Sequence, residues 1–559
     1  MLAALLIWAY SLMIFYIYGY GGLIFLKKIS KFQDGLWLSF PIIVILGIAI
    51  ITTIASYLSL ITPLASTAAI LILLGGILIA IFTRPWKKLS LPTYHPLVWV
   101  LLAVVTIVVL ENATHRPTNY DTALYHAQAI HWIESYRAVP GLVNINDHLA
   151  YNSSWLVLVA SMSFAFLGLR SFHLTNSVIL LATMFYFGES FQALLQKQFT
   201  ASNFVKVVLF FLSLYLYTPE LSSPGTDLPP TLLIWIITIL ILEKVEKRDL
   251  NFDLYSSFIF VFSVFNVVIK LSSLPLCLPA LLILIQQAWN KSWQRSMILT
   301  GIALVILSAW FLRNMVISGY LIFPISQIDL FSFDWKYPLA STATSQQILF
   351  WYDKFPVSGW TKYVGATWEQ WLPIWFHQLD RGQKVLLLIS IASPIGLLAY
   401  RFSKTEQNLA IGFSIIFILN YAGVFFWILT SPLFRFGYAY LFGSIILGSA
   451  SAILRLVNLI KKGSLIIFLP LVIFAFILPL YILATTTDLS TISKHALLPA
   501  DYSPSQVQLC PLGNINFYCA QKLFLCNYEA FPCLPKPLSH NVELRGTSLQ
   551  DGFRTIQKP

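Results

Sequence analysis

Long apolar runs, separated by short clusters of lysine and arginine, repeat from one end of the chain to the other. Most of them approach the roughly 20 residues that a helix needs to cross a hydrocarbon core of about 30 Å. They predict spans over residues 2–26, 36–60, 64–83, 96–112, 171–195, 204–218, 227–243, 255–270, 274–289, 296–317, 384–400, 408–430, 437–456 and 464–484. Stretches such as Leu465 to Leu483 are apolar on every face. That argues against a membrane barrel, whose strands alternate polar and apolar positions over about ten residues. The expected fold class is an all-α polytopic membrane protein with about 14 transmembrane helices, in a range of 11–14, and large non-cytoplasmic loops.

The cations between the runs set the orientation. Lys27/Lys28/Lys31, Arg84/Lys87/Lys88, Lys197, Lys244/Lys247/Arg248, Lys291/Arg295, Arg401/Lys404 and Arg455/Lys461/Lys462 all fall in alternate loops. One arrangement places every cluster in the cytoplasm, where such residues accumulate. Both termini then lie outside, with loops 113–170 and 318–383. The division expected is a polytopic domain, 1–484, carrying both loops, and a non-cytoplasmic tail, 485–559. The apolar stretch Trp155–Leu169 is short, and counting it as a span would turn Glu243–Asp249 and Leu459–Gly463 outward. It is expected as an interfacial or partly buried helix of the first outer loop. No basic residue precedes Lys27 and no small-residue cleavage site follows the first run, so that run is expected to stay as a span.

Composition adds two points. With 559 residues, 58% hydrophobic, only 10% charged and a mean hydropathy of +0.76, the chain is too apolar for a soluble fold of this size. The net charge of +12 is dispersed in small groups and forms no basic stripe, so it reads as topological and no nucleic-acid partner is expected. Four of the five cysteines, Cys510, Cys519, Cys526 and Cys533, lie in the tail. Their spacing lacks the C-x-x-C pairs of common zinc sites, and in an exported segment they are disulfide candidates with three possible pairings.

Candidate chemistry concentrates on the outer side. From Asp121 the first loop has helical character, with Ala123, Ala127, Ile130 and Ile133 on one stripe and Asp121, Tyr125, Gln128 and Trp132 on another. Such a helix would lie along the membrane surface and hold Asp121 where a lipid headgroup meets a water-soluble acceptor. The plainer role for Asp121 is an N-cap, and Asp227 in Ser222-Ser-Pro-Gly-Thr-Asp227-Leu-Pro-Pro could equally cap the next span. His126 and His131, five apart, are poorly placed for a shared metal. Asp147 and His148 fit a simple turn. Lys270, Arg313 and Arg435 are predicted at outer span ends, the side usually depleted of cations. Together they look like a receptor for an anionic lipid headgroup, the alternatives being snorkelling for Lys270 and a carboxylate partner for each.

This combination resembles the GT-C superfamily of polyprenyl-phosphate-sugar-dependent glycosyltransferases. The resemblance implies a functional acid early in the first outer loop, the place of Asp121, and a second acid in the next outer loop, the place of Asp227. More narrowly, Tyr120-Asp-Thr-Ala-Leu-Tyr-His-Ala-Gln-Ala-Ile-His-Trp132, Arg313-Asn-Met-Val-Ile-Ser-Gly-Tyr320, Arg435-Phe-Gly437 and Arg545-Gly-Thr-Ser-Leu-Gln-Asp-Gly-Phe-Arg554 resemble a family of bacterial polytopic membrane proteins with no assigned activity. Asp121 is followed by Thr122 and not by a second carboxylate, as in several superfamily members, which counts against a tightly held divalent metal. No cofactor is implied beyond a divalent metal, which this departure puts in doubt.

The expected function is an integral membrane transferase moving a sugar from a polyprenyl-phosphate carrier to an acceptor on the outer, periplasmic face of a bacterial inner membrane. Asp121 would be the base, Asp227 would orient acceptor or sugar, Lys270, Arg313 and Arg435 would bind the lipid phosphate, and Tyr125, His126 and Trp132 would contact substrate. The competing expectations are a transporter or flippase, and a polymerase or ligase, of lipid-linked glycans. Carrier-linked sugar, acceptor and membrane lipids are the expected partners.

Overall fold

The structure is a computed structural model that describes residues 1–30, 39–87, 89, 92–167, 170–352, 354–355, 359–397, 407–460, 464–486, 493–512, 515–537 and 541–556. Lys31, Lys88, Arg401, Lys404, Lys461 and Lys462 of the topological clusters lie outside the described residues.

Among the described residues eleven helices are long and apolar enough to cross a membrane: Leu2–Ile29, Phe40–Leu58, Leu64–Thr83, Pro96–Ala113, Thr175–Leu195, Ala201–Glu220, Leu228–Glu246, Leu271–Trp289, Trp293–Ser318, Ile411–Thr430 and Phe434–Ile453. Leu254–Ile269 and Ile473–Thr486 are apolar but shorter. The chain is therefore a helical polytopic membrane protein.

Local sequence explains several boundaries. Prolines sit in the first turns of Phe40–Leu58, Pro96–Ala113 and Leu228–Glu246, where the missing N–H costs nothing. The expected span 171–195 begins only at Thr175, because Arg170, Ser171 and His173 are engaged by the tail. The segment expected at 384–400 starts earlier as Arg381–Ala392, behind an Asp380/Gln383 capping box that the apolar pattern does not reveal. Ser154–Ser161 is a short helix buried along its whole length, so the first loop has its own core.

Helices pack by close backbone approach, as is common where lipid removes the hydrophobic drive between them. Gly19 and Gly47 make the clearest case: a Cβ on either would overlap the carbonyl of Ile43 or Phe15, so the first two helices meet backbone to backbone.

The tail folds into small sheets seated on both long loops. Strands β1 (Val507–Leu512), β2 (Ile515–Ala520) and β3 (Cys533–Leu534) form one sheet in that order, with β1 and β2 antiparallel and β2 and β3 parallel. Strands β4 (Val542–Leu544) and β5 (Phe553–Thr555) form an antiparallel pair. Disulfides join Cys510 to Cys519 and Cys526 to Cys533, while Cys277 is a free thiol. The Phe553 amide donates to the Pro140 carbonyl (2.9 Å). Arg545 clasps both Asp334 oxygens of the second long loop at 2.8 and 3.0 Å.

A buried polar knot anchors the tail. Glu134 accepts from Ser171 Oγ (2.9 Å) and from Tyr528 Oη, and lies 3.5 Å from His173 Nε2. His173 Nδ1 meets Tyr502 Oη at 2.5 Å. Burial pushes the Glu134 carboxyl up, but His173, Tyr528 and Ser163 outweigh it and hold it below its ordinary value of 4.5. A depressed folded-state value contributes stability above the unfolded value, and that contribution disappears as pH falls through the folded value. Tail docking is thus expected to be unaffected by this group between pH 7 and 5 and to weaken below about 4.5. Limited proteolysis across that range, reading release of fragments beginning near residue 495, checks it.

Candidate functional site

Four charged side chains that are far apart in sequence converge where the helical bundle meets the first long loop. Asp227 ends the turn before Leu228–Glu246, Lys270 caps the C-terminus of Leu254–Ile269, Arg435 lies in the first turn of Phe434–Ile460, and Asp121 precedes the π-turn Thr122–His126. Arg435 Nη2 is 2.6 Å from Asp121 Oδ2, and its Nε is 3.5 Å from Asp227 Oδ2. Lys270 Nζ donates to Asp227 Oδ1. The sequence left N-capping open for both carboxylates. Neither makes a side-chain cap bond; Thr122 N is bonded by Asn119 Oδ1 (3.3 Å) instead.

Arg435 is the informative member. A cation in the first turn of a helix opposes the positive end of the macrodipole. It is held there by two carboxylates, and by a local fold that fixes the preceding loop: Trp427 Nε1 donates to the Leu433 carbonyl (2.8 Å) and the Trp427 ring packs on Gly437, where a Cβ would meet it at 2.6 Å. Lys270 also lies over the Phe436 ring, 3.6 Å from its centroid. The two cations are therefore compensated in the resting structure by two carboxylates. Of the alternatives the sequence left open for these two cations, the carboxylate partner is the one present.

Electrostatics around the cluster are consistent with mutual charging. Burial raises Asp227, but Lys270 and Arg435 outweigh it and hold its carboxyl below the ordinary carboxylate value. Burial drives the His126 imidazole down to about 4 against the pull of Asp121 and Asp227, so it is neutral at physiological pH. Its Nδ1 is 3.3 Å from Thr122 Oγ1, and its buried Nε2 has no hydrogen-bond partner among the described residues. Burial, then Asp121 and Asp227, push the Tyr125 phenol well above its ordinary value. The Tyr125 ring meets His126 and Tyr151 edge-on and His148 at a tilt, at centroid distances of 4.3, 5.9 and 5.4 Å. Asp147, expected in a simple turn, pairs with His148 at 3.0 Å and accepts from Ser345 Oγ of the second long loop at 2.8 Å.

Two sequence candidates do not join the cluster. Arg313 is 6% exposed and donates to Ser59 Oγ (2.9 Å) at the end of Phe40–Leu58, without an ion pair to the cluster among the described residues. Depth in the membrane was legible for this residue, but its direction around the helix was not. Removing that one hydroxyl would leave a buried cation short of a partner, so Ser59→Ala is expected to destabilise the protein by about 1–3 kcal/mol, read as a lower apparent Tm in detergent. Trp132 is 2% exposed and covered by Phe531 and Phe553 at centroid distances of 5.0 and 6.1 Å. It therefore belongs to the seam under the tail and offers no free face to a sugar. Gln128, which shares that helix face with Trp132, is 1% exposed in the same seam.

Other groups were missed by the sequence reading. Glu220 interacts electrostatically with all four members of the cluster. Lys206 and Glu243 pair at 2.7 Å near the ends of two spanning helices, and Glu189 bonds Ser39. A charge inside an otherwise apolar run was the available signal for these. Among the described residues no group of three or more His, Cys, Asp or Glu side chains is disposed to hold a metal ion.

The fold and this cluster define a helical membrane protein with an ion-paired acidic site beside its first long loop. Residues 1–442 match the family described as Domain of unknown function (DUF8201), and the chain belongs to that family. No curated protein and no solved structure matches it.

Proposed function

We propose that this chain is a GT-C-like membrane glycosyltransferase that moves a sugar from a polyprenyl-phosphate carrier to an acceptor on the outer face of a bacterial inner membrane. In this reading Leu254–Ile269, Arg381–Ala392 with its continuation, and Ser464–Thr486 complete about 14 spans. The observation that carries the proposal is the Asp121–Arg435–Asp227–Lys270 cluster. It sets a loop carboxylate, not spent on helix capping, against two cations at span ends.

Asp121 would take the proton of the acceptor hydroxyl as the new glycosidic bond forms at the sugar's anomeric carbon. The bond from that carbon to the carrier phosphate breaks, and the phosphate leaves with the electron pair. Arg435 and Lys270 would exchange their carboxylate partners for the departing phosphate oxygens, and fixed cations in a partly dehydrated site stabilise such charge better than water-screened ones. Asp227 would orient Lys270 and the acceptor. His126, neutral, offers an unpartnered ring nitrogen to a sugar hydroxyl.

The test is an assay in native membranes with a panel of radiolabelled polyprenyl-phosphate sugars, following label out of the lipid fraction. Transfer supports the proposal. The competing reading is a transporter of lipid-linked glycans, which ionisable groups deep within the spans would favour; the Lys206–Glu243 pair lies instead near the ends of its two helices. No transfer from any donor, together with saturable movement of lipid-linked sugar across vesicles, would select that reading.

A further inference from the structure

The turn that carries Asp121 is gripped from outside by the tail. Tyr120 Oη donates to the Leu523 carbonyl (3.2 Å). The Ala123 carbonyl, inside the π-turn, accepts from both Cys526 N (3.0 Å) and Asn527 N (2.9 Å). These contacts flank Asp121 on either side. One helical turn further on, Gln128 uses its amide three times: Nε2 donates to the Asn527 and Ala530 carbonyls, both at 2.8 Å, and Oε1 accepts from Cys533 N at 3.0 Å. His131 stacks between Tyr528 and Phe531, at 4.4 and 3.9 Å. All of these partners except Leu523 belong to the loop that the Cys526–Cys533 disulfide closes.

The division of labour follows. Asp227, Lys270 and Arg435 are fixed by the ends of helices in the bundle, whereas Asp121 is fixed by a loop turn whose backbone bonds run to the tail. A π-turn is a local departure from the α-helix that needs tertiary support, and such turns recur at functional sites. Residues 526–533 lie beyond the stretch matched by the family, 1–442.

We infer that the disulfide-closed loop 526–533 is a clasp that holds Asp121 in register with Arg435, and that Gln128 is the positioning residue through which it acts. The structural part stands on the contacts alone; the catalytic consequence rests on the glycosyltransferase reading.

The experiment uses the full chain in lipid nanodiscs and compares Gln128→Leu, the double substitution Cys526→Ser/Cys533→Ser, and as control Cys510→Ser/Cys519→Ser, whose bridge ties β1 to β2. Hydrogen exchange is followed in peptides covering 119–131, with donor KM and kcat for sugar transfer measured on the same preparations. Loss of three bonds that include buried groups in Gln128→Leu, and of the closing bridge in the Cys526/Cys533 variant, is expected to speed exchange around the turn by at least about tenfold, with no such change in the control. The kcat should fall by a similar factor with donor KM unchanged, because the cations stay on the bundle. Unchanged exchange at 119–131 in Gln128→Leu overturns the clasp, even where the cysteine variant does not fold. Faster exchange with unaltered kcat overturns the positioning role. Faster exchange in a protein whose wild type transfers no sugar keeps the clasp and removes the glycosyltransferase reading.

Discussion

Asp121→Asn is expected to lower sugar transfer at least about 100-fold at matched expression, the usual scale of a lost general base. The substitution keeps the shape of the side chain and removes its charge and its ability to take a proton. Arg435 would lose its 2.6 Å partner but keep Asp227 at 3.5 Å, so the bundle should remain folded. Asp147→Asn is the matched control. It alters a carboxylate of the same loop that pairs with His148 and Ser345, outside the cluster, and transfer should stay near the wild-type level. Radiolabel transfer in membranes, with protein quantified by immunoblot, reads both. Undiminished transfer by Asp121→Asn would remove it as the base while leaving the enzyme.

How much of this was legible in the sequence depends on the range of the interaction involved. Spans such as Thr175–Leu195 and Leu228–Glu246 were readable because an apolar run is a local property, and the second was bounded by Pro229, Pro230 and Lys244. Asp121, Asp227, Lys270 and Arg435 could each be singled out, since an acid beside the membrane and a cation on the depleted side are locally conspicuous. Their mutual pairing was not readable, because it depends on which helices neighbour one another. Arg313 fails for that reason: hydropathy fixes its depth, but only packing sends it to Ser59. Trp132 and Gln128 fail because a stripe that is surface to its own helix becomes interior once the tail docks on it. The four tail cysteines announced disulfides, while the pairing of 510 with 519 and 526 with 533 required the fold.

The second large effect is expected at the Asp227–Lys270 pair, whose side chains are 12% and 21% exposed. Asp227→Leu alone strands Lys270, and Lys270→Met alone leaves Asp227 only its 3.5 Å contact with Arg435. Breaking one partner of a buried pair costs about 3–5 kcal/mol, and partial exposure of Lys270 places these variants toward the lower figure. The double replacement removes both charges and should recover most of the lost stability, since well-packed apolar side chains often substitute for a buried pair without net cost. Apparent Tm in detergent reads this cycle. Transfer should not recover with it: the double variant retains Arg435 but lacks the second cation that would meet the departing phosphate and the carboxylate that orients it. A stable double variant with no transfer would separate the pair's chemical role from its structural one. A stable double variant with full transfer would reduce the pair to scaffolding and leave the chemistry to Asp121 and Arg435.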